Sequence, residues 1–319
     1  MPTTVTKTIK ASGGDYTSLS AWEAAQQGDL VAADEIRVAE CYDEWPSGLS
    51  DAVTVDGSTT DSTRYMKITV AAGHRHNGTP GSGFFITSWQ DWTSVVKLED
   101  EYCRVEWLDI RNISTSSDGR ALWLGAASTV ASKCLINGLA SQATVRFASA
   151  TARLESSLVY GGVIGLARSD YIAGKIYNCV FAGQSSYSIG GSSVSGYGYD
   201  VRNCVLYKPP YVTSPYTYFD SGSTHNATSS ASDDAPGGNS VTGIDSGDFV
   251  NAASNDFHLA SGSALIGAGT NLYSTFTTDI DGDTWPSSGA WDIGFDYRVS
   301  AAATSLGLGP RFPRAILNF

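Results

Sequence analysis

Short apolar runs bounded by polar residues recur through the middle of the chain at nearly one period. Residues 105–110 (VEWLDI), 133–136 (KCLI), 178–181 (NCVF) and 203–206 (NCVL) share one pattern, and residues 154–159 (LESSLV) carry a weaker copy. Aligned on Leu108, Cys134, Ser157, Cys179 and Cys204, the copies lie 26, 23, 22 and 25 residues apart. A period in the twenties, made of β-type runs with Gly, Asn and Ser between them, is the mark of a solenoid. One unit cannot bury its own apolar face, so successive turns must stack. Secondary runs at 121–124 (ALWL), 144–147 (TVRF) and 162–165 (GVIG) give each turn a further strand. The pattern therefore predicts an all-β chain, a single-stranded parallel β-helix with two or three strands per turn and turns about 4.8 Å apart.

Outside the repeats the pattern changes. Residues 4–10 alternate as a strand, and Gly13, Gly14 and Asp15 make a turn. Ser20 followed by Glu23 has the spacing of a capping box. It predicts a helix over about 20–27 with Leu19, Trp22 and Ala25 on its inner face, so that residues 1–30 cap the open end of the solenoid. Strands are expected at 35–39, 66–70 and 95–98. From 209 the pattern breaks, and 221–241 is nearly all small polar residues, which reads as a long surface loop near 209–250. Strand patterning resumes at 256–259 and 263–266, so the β-helical body is expected to span 31–299. Residues 300–319 read as a docking tail, with Arg311, Phe312, Ile316, Leu317 and Phe319 as candidate interface residues.

Composition narrows the picture. An apolar fraction of 42% supports a continuous core, and a charged fraction of only 16% with 34 Gly suits short strands joined by turns. A net charge of −12 without any basic run argues against a nucleic-acid partner. The five cysteines form no CxxC, are odd in number, and three of them share one repeat position. They read as stacked, buried, reduced thiols acting as small apolar side chains. No basic-then-apolar leader opens the chain and no apolar run reaches the length of a membrane span. The expectation is a protein with no membrane partner that is not exported by a signal peptide.

Taken with Gly13-Gly14-Asp15-Tyr16, with the loop 73–78 (GHRHNG), and with the closing run of Asp256 to Leu259, Asp279 to Asp283 and Trp291 to Gly294, these repeats resemble the right-handed parallel β-helix superfamily. That group includes pectate lyase-like enzymes and phage virion proteins. The resemblance implies a cap at the start, a terminal coil at the end, and a fold that hosts lyases, hydrolases, adhesins and inert structural proteins alike.

Candidate chemistry follows from that range. A lyase of this kind needs a basic group on one face, and Lys175, Arg202 and Arg104, with Arg111 nearby, are the candidates for it. An inverting hydrolase needs two carboxylates on neighbouring turns. The outward positions beside the repeat, Glu106, Ser132, Tyr177 and Arg202 on one side and Asp109, Leu135, Val180 and Val205 on the other, give one acid per row and no acidic ladder. Asp279, Asp281 and Asp283 alternate like the start of a calcium loop but lack the closing Glu, since Ala290 stands there. They read as a structural turn first and a weak calcium candidate second; no other cofactor is suggested. His74 and His76 have the spacing of one strand face without a third ligand, and His225 and His258 stand alone. Trp89, Trp92, Tyr211, Tyr216 and Tyr218 are candidates to stack on a glycan or to fill an interface. The leading expectation is a structural virion protein, a phage capsid decoration (cement) or spike-like component, bound to other virion proteins and trimeric. A polysaccharide lyase or glycoside hydrolase, or a non-catalytic glycan-binding adhesin, are the alternatives.

Overall fold

The computed structural model describes residues 1–116, 119–139, 143–167, 174–190, 198–210, 217–219, 226–228, 231–232 and 240–298. In 217–219 and 226–228 it describes the backbone alone. Through the middle of the described chain each turn passes through three strands, and each of these pairs in parallel with its equivalents one turn before and one turn after. In one such turn Arg104–Glu106 belongs to the first sheet, Asp109–Asn112 to the second and Arg120–Leu124 to the third. Among the described residues the sheets hold nine, nine and seven strands. The solenoid read from the repeat is therefore a parallel β-helix.

The register agrees with the repeat alignment. Glu106, Ser132, Glu155, Tyr177 and Arg202 are consecutive partners in the first sheet, and Asp109, Leu135, Leu158, Val180 and Val205 in the second. What the repeat marks is not mid-strand but a corner. Trp107, Lys133, Ser156, Asn178 and Asn203 all have positive φ, between 42° and 68°, and turn the chain from the first sheet into the second. Asn tolerates this left-handed conformation, whereas a bulkier L residue there costs roughly 1–2 kcal/mol. The next residue, Leu108, Cys134, Ser157, Cys179 or Cys204, is fully buried on the inside of that corner. The cysteines are free, and burial pushes the Cys134 thiol up to about 12.

Several expectations need correction. The first helix spans Leu19–Gln26, and its cap is Ser18, whose hydroxyl accepts from the Ala21 N–H. Ser20 instead donates to Asp51 at 2.8 Å, and Glu23 is buried, accepting from the Asp56 N–H at 3.3 Å. Leu19 and Trp22 face inward as expected, while Ala25 is exposed. The repeat also continues past 209: Thr217–Phe219, Asn226–Thr228 and Ala231–Ser232 extend the third, first and second sheets by one strand each. Parallel pairing satisfies backbone groups whatever the side chains are, so a polar stretch can still make a turn.

Residues 249–298 do not form a further turn. They run back along the outside of the solenoid as a strap over the second sheet. Phe249–Asn251 and Asp256–Leu259 pair antiparallel within it. Its Phe257, Leu259, Ile280, Ile293 and Phe295 join the outward-facing Leu135, Leu158, Val180 and Val205 in a second apolar core. Burial of each such side chain stabilises by about 1.5–3 kcal/mol. The corner ladder is the docking line. Ser156 Oγ donates to Thr278 O, Asn178 Nδ2 to Gly294 O at 2.8 Å, and Asn203 exchanges two bonds of 2.8 Å with Thr270.

Candidate functional site

Residues 256–258 and 281–283 of the strap meet the loop that carries His74, Arg75 and His76, and the two enclose a cleft of about 670 Å³. Arg75, His76, Asn77 and Trp107 line one wall; Asp256, His258, Asp281 and Asp283 line the other. Two glycines allow this approach. Gly78 (φ 79°) lies so close to His258 that a Cβ there would fall 2.5 Å from its ring, and Gly282 (φ 86°) packs over the Trp107 indole.

His258 is held between carboxylates rather than standing alone as expected. Its Nδ1 is 2.5 Å from Asp256 Oδ1, and its Nε2 is 3.1 Å from Asp281 Oδ2, off the line of a hydrogen bond. Burial opposes its charge, but Asp281 and Asp256 outweigh burial and bring its pKa up to about 9. His76 has the opposite fate. It is buried, its Nε2 lies 2.9 Å from Lys133 O, and its Nδ1 accepts from the Gly78 N–H, which fixes a neutral tautomer. Burial holds its pKa down at about 4. His74 points elsewhere, accepting from the Asp43 N–H at 3.1 Å, so the two do not share a face.

Asp279, Asp281 and Asp283 do not converge on one point. Asp279 is fully buried beneath the turn, and its oxygens accept the N–H groups of Asp281, Asp283 and Tyr297 at 2.7–3.0 Å. Burial nonetheless pushes its pKa up to about 7. It is a turn-forming residue, while Asp281 and Asp283 face the cleft.

The basic group disperses. Arg104 and Lys175 lie in one outward column of the first sheet, with Val130 and Arg153 between them. The Arg104 guanidinium rests on the Tyr65 ring at 4.1 Å. Arg202 is two positions along its strand and pairs with Asp200 at 2.8 Å, and Lys175 is exposed. Arg111 belongs to the second sheet, where it pairs with the buried Asp109 at 2.5 Å.

Trp89 and Trp92 lie on the edge where the second sheet turns into the third, and they are 56% and 80% exposed. Trp89, Ile113 and Leu139 follow consecutive second-sheet strands, linked by bonds from Ile113 N to Ser88 O and from Leu139 N to Asn112 O. Ile113 and Leu139 are 45% and 59% exposed, so an apolar ridge runs along the solenoid over three turns. Asn112 stiffens it by bonding Gln90 and Ser114 in the neighbouring connections. Beside the ridge, Lys97, Trp123 and Arg146 are in-register neighbours on the outer face of the third sheet, with both cations within 5.5 Å of the indole centroid. Tyr211, Tyr216, His225 and the tail residues Arg311, Phe312, Ile316, Leu317 and Phe319 lie outside the described residues, as does the side chain of Tyr218.

The single-turn spacing that exposed the repeat contains nothing about the cleft, because its walls come from parts of the chain far apart in sequence. The signal that was available is local: His258 two residues after Asp256, and a glycine inside each approaching loop.

No protein-family model matches the chain, and no curated protein matches it. Among solved structures, the chain is similar to the pectin methylesterase of Aspergillus niger in its deglycosylated form, with a TM-score of 0.45 and 12% identity. The match covers 76% of this chain and 83% of that one. The class defined by the fold itself is a parallel β-helix with a flank-covering strap.

Proposed function

We propose that the chain is a structural β-helix that associates side by side with copies of itself inside a larger particle. A phage capsid decoration or spike-like protein is the setting that the sequence resemblance suggests. One observation carries this reading. Of the seven strongly exposed large apolar side chains among the described residues (Met1, Val31, Trp89, Trp92, Ile113, Leu139 and Val250), four lie on a single edge. Contiguous exposed apolar surface favours contact with another macromolecule. A straight ridge parallel to the solenoid axis suits a threefold axis with the same direction, because three copies can each present the same rungs at the same height.

Light scattering on the full-length chain tests this, alongside the variant Trp89→Ser, Trp92→Ser, Leu139→Ser. A trimer that becomes a monomer in the variant, with unchanged circular dichroism, supports the ridge as the interface. A wild-type monomer at all concentrations overturns it. A chain ending after residue 300 separates the ridge from the tail, since loss of the trimer in that chain alone assigns assembly to the tail.

The cleft favours a second reading, a glycan-cleaving enzyme, because it brings His258 and the carboxylates of Asp281 and Asp283 to one accessible wall. A screen for reducing-end release from neutral and acidic polysaccharides, with Asp281→Asn as control, decides it.

A further inference from the structure

We propose that His258, Asp281 and Asp296 bind a divalent transition-metal ion of the zinc or manganese class, which clasps the strap together where it meets the 72–78 loop. One ligand atom from each of the three lies within 4.8 Å of the other two. Such a set needs only a small contraction to meet around an ion with bonds of about 2.0–2.2 Å.

Three features go beyond proximity. Asp256 sits on His258 Nδ1 at 2.5 Å, so a neutral ring keeps its proton there and turns the Nε2 lone pair toward Asp281 and Asp296. A carboxylate behind a ligating imidazole is the usual outer support of a metal-bound histidine. His258 Nε2 is itself shielded from solvent and makes no hydrogen bond. Asp296 is only 8% exposed, and its Oδ2 accepts the Leu259 N–H at 2.8 Å, which holds the carboxylate in place beside the imidazole.

The donor set also selects the ion. One imidazole nitrogen with two carboxylates suits zinc or manganese, whereas calcium prefers six to eight oxygens. The calcium-like run contributes only Asp281, because the oxygens of Asp279 are occupied by backbone N–H groups. Asp281 faces the open cleft, which leaves room for water to complete the coordination. The ligands come from the strand Asp256–Leu259, the 279–283 turn and residue 296, so one ion would tie three segments of the strap.

Calorimetric titration of chelator-treated full-length protein with zinc chloride, manganese chloride and calcium chloride tests the site. The expected result is one equivalent of zinc or manganese per chain and a melting temperature raised by a few degrees at saturation. Asp281→Asn, on an exposed residue, should weaken zinc binding at least tenfold with unchanged circular dichroism, and His74→Ala should leave it intact. If His258→Gln fails to fold, the absorption spectrum of the wild-type cobalt complex reports nitrogen and oxygen ligation without any variant. No saturable binding of zinc or manganese, binding unaffected by Asp281→Asn, or binding of calcium alone overturns the proposal. In the first case the cluster is an ion pair only.

Discussion

On the outer face of the first sheet, Lys67 and Glu106 meet water as a pair and so do Asp200 and Arg202; on the outer face of the second, Leu135, Leu158, Val180 and Val205 meet the strap. Both faces are built from the same turns, a few residues apart in each. The difference is what lies over them. A face in contact with water carries alternating side chains, as in Asp200-Val201-Arg202, with only the middle one buried. A face covered by protein reads as a continuous apolar run, as in Val180-Phe181-Ala182, with both sides of the strand buried. Where a solenoid strand is apolar on both faces, something must cover its outer side.

The sharpest way to break this contrast is to place one charge on each face. Val180→Asp puts an unpaired carboxylate under the strap and should lose about 3–5 kcal/mol in urea unfolding, with strap cleavage by a protease preceding loss of the β-helix. The matching change on the open face, Lys175→Asp, should stay within about 0.5 kcal/mol. Equal effects at both sites would mean that the strap contributes little.

Alkaline pH should loosen the strap next. The folded-state pKa of His258, at about 9, is above its ordinary 6.5, so its contribution is complete below 6.5 and is lost as pH rises through 9. In metal-free protein this amounts to about 3 kcal/mol at most. His258→Gln should flatten the fall in melting temperature between pH 7 and 10. His76, held down at about 4, has the opposite sign: it favours folding above 6.5, and that margin shrinks as pH falls from 6.5 toward 4.

A smaller effect, about 1–2 kcal/mol, is expected for Asn203→Ala, which removes both bonds to Thr270 and a residue suited to positive φ. Its check is faster amide exchange at Thr270 with little change in the first sheet. Arg202→Ala should lie at the bottom of the scale, below about 1 kcal/mol, because its pair with Asp200 is partly exposed to water. A larger loss would show that the open face is more tightly coupled than its geometry implies.

Much of the solenoid was legible because stacking repeats itself: the alignment on Leu108, Cys134, Ser157, Cys179 and Cys204 gave the strand register of two sheets. The doubly apolar runs at 135–136, 158–159, 180–182 and 205–207 also carried the covered face, although which segment lies over it could not be read. Strap and ladder meet through side chains such as Asn203 and backbone groups such as Thr270, and neither follows a period. The turn at 217–232 escaped notice for the opposite reason, since its strands are held by backbone pairing while its composition is that of a loop. The cleft was least legible. His76 and His258 were visible singly, but only the backward run of the strap places Gly78 against the His258 ring.

That backward run changes how the molecule would come apart. A simple stack of turns can fray from either end, each turn leaving with only its neighbour to hold it. Here residues within 249–298 reach back to Trp107 and Gly78, so the strap is anchored on some of the earlier turns. Tension on one end is passed to the middle of the rod instead of peeling off the outermost coil. The rod should then yield as one unit under a pulling force, and cutting the chain once near residue 249 should turn that single event into a series of small ones.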